Sequence, residues 1–161
     1  MTDTLKFTCE RCPRLQSPQL EFLPESFQRQ REIILRDLRE LVSAASHGHE
    51  KTVVVLAGCL FESILFCFIQ SQSDYVAARY SLPFTFNPEH SLKNFVNVFN
   101  RFFAGSVPIP DIVVDYRDIV HIKQELNHSS DVCQTAAPDM LKLLDALLDR
   151  LSVYSQDWLA P

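Results

Sequence analysis

The run Val53 to Ile69 constrains the fold of this chain more than any other stretch. It reads VVVLAGCLFESILFCFI, apolar nearly all round and interrupted by Glu62 and Ser63. A membrane-spanning helix needs about 20 apolar residues. This run is shorter, so it predicts a buried core helix over about Glu50 to Ser71. A helix apolar on every side must be wrapped by others, which places it in the middle of a helical bundle. Gly58 would let another helix approach closely. Glu62 is the one charge near the helix centre, and a carboxylate there must be paired or protonated. Either it is a structural partner for a lysine, arginine or backbone group, or it orients Arg117.

The other segments read as the wrapping. The chain has only 3 glycines, and Val/Ile/Phe alternation is scarce, which favours helices over a turn-rich β fold. A first helix is expected from about Glu25 to Ser46, with Phe27, Ile34, Leu38 and Leu41 near one face. Its arginines (Arg29, Arg31, Arg36, Arg39) mix with Glu32, Asp37 and Glu40, the pattern of a solvated face. Gly48 closes it as a C-cap. Residues 72–90 read as a connection containing Pro83 and Pro88, with a short helix at Asp74 to Tyr80. Ser91 caps a third helix running to about Ala104, with the stripe Leu92, Phe95, Val98, Phe99 and Phe102. A fourth begins at Pro110. After a polar loop from Asn127 to Gln134, the last helix runs from about Ala136 to Ser155, with Pro138 in its first turn. Met140, Leu143, Leu144, Leu147, Leu148 and Leu151 form its core face. The expectation is an all-α bundle of four or five helices over residues 25–161, preceded by an irregular segment at 1–24.

Composition narrows the function classes. At 161 residues one domain is expected, with a core that needs no disulfide or metal. The formal net charge of −5 argues against a large basic nucleic-acid footprint but leaves room for a small phosphate site. The 5 cysteines have no framework spacing, and no signal peptide opens the sequence. A reducing cytoplasm and no membrane association are the expectation. Cys59 and Cys67 read as buried thiols. Cys9 and Cys12 make half of a zinc-site pattern, which would need His47, His49 or a second subunit to be completed.

The candidate site lies in the stretch from Pro108 to Leu126. Proline is tolerated at the first helical position, so a helix is expected from Pro110, with Asp111 complementing its dipole. Ile112, Tyr116, Ile119, Val120 and Lys123 share one face. Arg117 and His121 stand four apart and so are neighbours on that helix. They read either as a surface pair over the core or as an anion site, with arginine as the fixed fork and histidine as the titratable partner.

Three pieces in order resemble the HEPN superfamily of small helical domains. The segment from Lys51 to Leu65, KTVVVLAGCLFESIL, is similar to the family's early core helix with its small residue and glutamate. Ser91-Leu92-Lys93-Asn94-Phe95 resembles the start of the following helix. Val114-Asp115-Tyr116-Arg117-Asp118-Ile119-Val120-His121 resembles its dYRNxxH element, with Asp118 where asparagine is common and the short Arg-to-His spacing of the RNxxH branch. The resemblance covers roughly residues 30–151. It implies a metal-independent endoribonuclease without cofactor, in a toxin or phage-defence setting. The catalytic residues would be Arg117, Asp118 and His121. It also implies a homodimer whose motifs face each other, RNA as substrate, and an antitoxin or nucleotidyltransferase-type partner. The alternative it leaves open is a non-catalytic HEPN-like module for dimerisation or partner binding.

Overall fold

The computed structural model describes residues 2–80, 91–105, 107–118, 120 and 129–154. These residues are all-helical, with no strand among them. The elements are α1 (Thr2–Glu10), α2 (Pro13–Gln16), a 3-10 turn (Glu25–Phe27), α3 (Gln28–Ser46), α4 (Glu50–Tyr80), α5 (Leu92–Phe102), α6 (Ile112–Arg117) and α7 (Ser129–Ser152).

The apolar run sits where its composition demands. α4 packs against α3, α5, α6 and α7. Val53, Ala57, Phe61, Ile64, Leu65 and Phe68 are completely inaccessible. Over Glu50–Ala78 the helix is long and apolar enough to cross a membrane by length and composition, but here 61% of its most apolar window is covered by the bundle. Phe68 is an aromatic hub, with ring centroids 5.0 Å from Phe103, 4.8 Å from Tyr154 and 6.1 Å from Phe22. Edge-to-face contacts of this kind add to the burial of the rings themselves.

α4 continues nine residues beyond the expected end at Ser71, taking in the short helix expected at Asp74 to Tyr80. The polar run Gln70 to Asp74 does not break it. Ser71 Oγ donates to the Phe68 carbonyl at 2.7 Å and Ser73 Oγ to that of Gln70 at 3.0 Å. The hydroxyls are thus satisfied along the helix, and Val76 is buried beyond them. Pro83 and Pro88 lie outside the described residues.

α7 likewise starts earlier than expected, at Ser129, so the described part of the Asn127–Gln134 segment is helix and Pro138 lies inside it. Cys133, Ala136, Ala137 and Met140 recur at three- and four-residue steps and are all buried. That face holds the helix together through a proline that removes one backbone hydrogen bond. The expected end at Ser155 lies outside the described residues.

The segment expected to be irregular contains α1 and α2, which pack on α7 and α3. Leu5, Cys9, Cys12, Leu15, Leu20 and Leu23 join the same core cluster as the long helices. The prolines misled here: Pro13 opens α2 at its first position instead of preventing a helix. The α2 entry is capped from a distance. Asp145 Oδ1 on α7 accepts the backbone N–H groups of Arg14 at 2.7 Å and Leu15 at 3.1 Å.

α3 ends as its glycine predicts. Gly48 has φ 72, its N–H donates to Ala45, and the His49 N–H reaches back to Ala44. This paired closure satisfies the last carbonyls and favours glycine at the left-handed position.

Candidate functional site

Arg117 is placed by a chain of local constraints. α5 ends at Phe102, and Arg150 of α7 donates to the carbonyls of Phe103 and Ala104 just beyond it. The strand-like segment that follows is clamped by Asn100. Its Nδ2 donates to the Ile109 carbonyl and its Oδ1 accepts the Ile109 N–H, both at 2.8 Å. Pro110 and Asp111 then lend their carbonyls to the first turn of α6. The helix therefore begins two residues later than expected, with Asp111 at its cap position and no side-chain cap bond.

The buried face of α6 differs from the expected one. Val113, Val114 and Val120 are buried, while Ile112 is exposed. Tyr116 turns toward α7, its hydroxyl donating to Asp139 Oδ2 at 3.1 Å. Burial, with Asp139 beside it, raises the phenol pKa above its ordinary value. Ile119 and Lys123, expected on this face, lie outside the described residues.

Arg117 itself lies across α4. A Cβ added to Gly58 would stand 2.6 Å from Arg117 Cγ and 3.2 Å from its Cβ. The close approach expected of Gly58 is thus made by the arginine's aliphatic stem. The guanidinium then meets two carboxylates. Nη2 is 3.4 Å from Glu62 Oε2 and Nη1 is 3.2 Å from Asp118 Oδ1. The side chain remains 20% exposed, against 34% for Glu62 and 39% for Asp118. Glu62 is therefore a half-open partner at the bundle surface and not the buried charge that its place in the run suggested.

Of the expected triad, Arg117 and Asp118 are brought together directly, and His121 lies outside the described residues. Sequence reasoning missed Cys59. It was expected to be a buried thiol and is exposed. Partial desolvation of its sulfur and the nearby Glu62 charge still raise its pKa. Cys67 is buried as expected, and desolvation lifts its thiol to about 11.

Beside Glu62 opens a groove of about 320 Å3 between α3, α4 and α5. Phe66 and Phe95 meet edge-to-face in its wall at 5.9 Å, and Gln30, Glu62 and Ser63 supply its polar edge. The groove was not anticipated. The heptad-like signal for α3 and α4 reports which faces are apolar, not where two helices fail to close.

The Cys9–Cys12 pair is engaged within the fold. Cys12 Sγ donates to the Thr8 carbonyl at 3.3 Å, and Gln16 Nε2 approaches Cys9 Sγ at 3.5 Å. Burial, with Asp145 nearby, pushes the Cys12 thiol up to about 12, so it stays protonated where a metal ligand must be a thiolate. Among the described residues no group of three or more histidine, cysteine or acidic side chains is arranged to hold a metal ion.

No family model, curated protein or solved structure matches this chain.

Proposed function

We propose that the chain is a metal-independent endoribonuclease of the HEPN type, with Arg117 as its phosphate contact. The observation that carries this reading is the seating of Arg117. Gly58 leaves room for its stem, Glu62 holds one side of the fork, and the guanidinium still reaches solvent. A surface arginine that only covers core has no use for a vacated Cβ position. Glu62 acts as a positioning residue. Asp118, the more exposed of the two carboxylates, turns aside when a phosphate takes its place on Nη1.

Arginine matches two phosphate oxygens with parallel N–H donors, and it gains most as charge develops on the phosphorane. The 2′-oxygen attacks phosphorus and the P–O5′ bond breaks. The 2′ proton passes to an imidazole and the 5′-oxygen takes a proton from another. His121 has the pKa for either task, and a symmetric dimer supplies the second histidine. The products are a 2′,3′-cyclic phosphate and a free 5′-hydroxyl. DNA lacks the attacking group and is not cut.

A second reading has its own observation. Two carboxylates surround one guanidinium in a chain of net charge −5. That cluster would serve a non-catalytic helical module by tying α6 to α4. Incubating the protein with total RNA in EDTA separates the two readings. The test includes an Arg117→Ala/His121→Ala variant matched for folding by circular dichroism. Cleavage by the parent alone supports the nuclease; cleavage by neither protein supports the module.

A further inference from the structure

We infer that the groove beside Glu62 is a guanine-binding subsite, which rests on the reading of Arg117 as an RNA phosphate contact. The groove's volume of about 320 Å3 falls within the range of small-ligand sites and accommodates one bicyclic base. Its wall carries two aromatic rings, Phe66 and Phe95, which offer a base an apolar π surface. Its edge carries Gln30 and Ser63, whose side chains make no hydrogen bond to a described residue.

Glu62 joins the groove to Arg117. Oε2 is taken by the guanidinium at 3.4 Å, while Oε1 makes no hydrogen bond to a described residue. Glu62 also lines the groove. A carboxylate accepts and cannot donate when ionised. Of the four RNA bases, only guanine presents two adjacent donors on one edge, N1–H and N2–H2. Adenine and cytosine place an acceptor beside their amine, and uracil flanks its single N–H with carbonyls. The base would thus meet Glu62 on one side while its phosphate meets Arg117 on the other. Gln30 and Ser63 can donate to guanine O6 and N7.

Titration calorimetry on the full chain with GMP, IMP and inorganic phosphate tests this directly. GMP and IMP differ only in the N2 amine. Losing a hydrogen bond to a charged group corresponds to about tenfold or more in affinity. GMP is expected to bind at least that much tighter than IMP and than phosphate. A Ser63→Phe variant fills the groove without removing a core side chain, and should lose the GMP advantage while keeping phosphate binding. A Glu62→Gln variant should narrow the GMP-to-IMP ratio. Equal affinity for GMP and IMP, or unchanged GMP binding in Ser63→Phe, overturns the inference. So does the absence of GMP binding. A GMP advantage in a protein that cuts no RNA upholds the subsite and removes the nuclease reading. RNA cleavage without any GMP advantage does the reverse.

Discussion

Gly58 and Arg117 form the most informative pair of residues. Glycine inside a helix ordinarily costs about 1 kcal/mol relative to alanine. Here the alanine Cβ would meet the Arg117 stem at 2.6 Å, so the stem must move. Gly58→Ala is therefore expected to change stability by less than about 1 kcal/mol, because propensity and clash oppose each other. RNA cleavage should fall by roughly tenfold or more, since a small displacement of a positioned charge is costly. Thermal melting and a cleavage assay on the same sample check both halves. Asp145 gives a purely structural test at the same scale. It caps α2 through two backbone N–H groups, and burial raises its carboxyl pKa above the ordinary range. Asp145→Ala should lower stability by about 1–2 kcal/mol. Asp145→Asn, which keeps one acceptor oxygen and sheds the desolvated charge, should lower it less. A urea midpoint series distinguishes them.

The central element was legible because its composition leaves one solution. A run apolar on all sides needs neighbours on all sides, and α4 has α3, α5, α6 and α7 around it. Ends were less legible. The serines after Ile69 read as a break, yet their hydroxyls bond back along α4. α1 and α2 were invisible because prolines and charges dominate their residues, while Leu5, Cys9 and Leu15 bury only once α7 lies beneath them. The Arg117 seat was half legible: Gly58 and Glu62 stood out as a small residue and a lone charge four apart. That Arg117 fills the first and pairs with the second is a property of the α4–α6 crossing. The crossing itself depends on Asn100, which holds the Ile109 backbone by two bonds of 2.8 Å. Asn100→Ala leaves two partly buried backbone groups without that clamp and should cost about 1–3 kcal/mol. Hydrogen exchange should quicken in residues 109–117 before it quickens in α4.

At the scale of the whole molecule, the thiols report the integrity of the core. Burial raises the pKa of Cys9, Cys12, Cys67 and Cys133. Below the ordinary thiol value of 9.0 the folded and unfolded chains both hold these protons. Above it the unfolded chain releases them while the fold retains them up to about 11 at Cys67 and about 12 at Cys12. Stability should thus be steady toward neutral pH and decline as pH rises from 9 through that window. Urea midpoints across the range check the sign. In the native protein a thiol reagent should label Cys59 first, with the other four reacting only on unfolding; mass mapping after brief labelling gives the order. The account of function turns on whether the partly exposed Arg117 fork contacts a scissile phosphate. The most direct measurement uses a DNA oligonucleotide carrying a single ribonucleotide, a guanosine, incubated in EDTA with the parent protein and with Arg117→Ala. The account predicts cleavage only on the 3′ side of that ribose, leaving a 2′,3′-cyclic phosphate, and none by the variant. Cutting at deoxyribose positions, or equal cutting by the folded variant, would contradict it, as would an intact substrate under conditions where the parent is folded and dimeric.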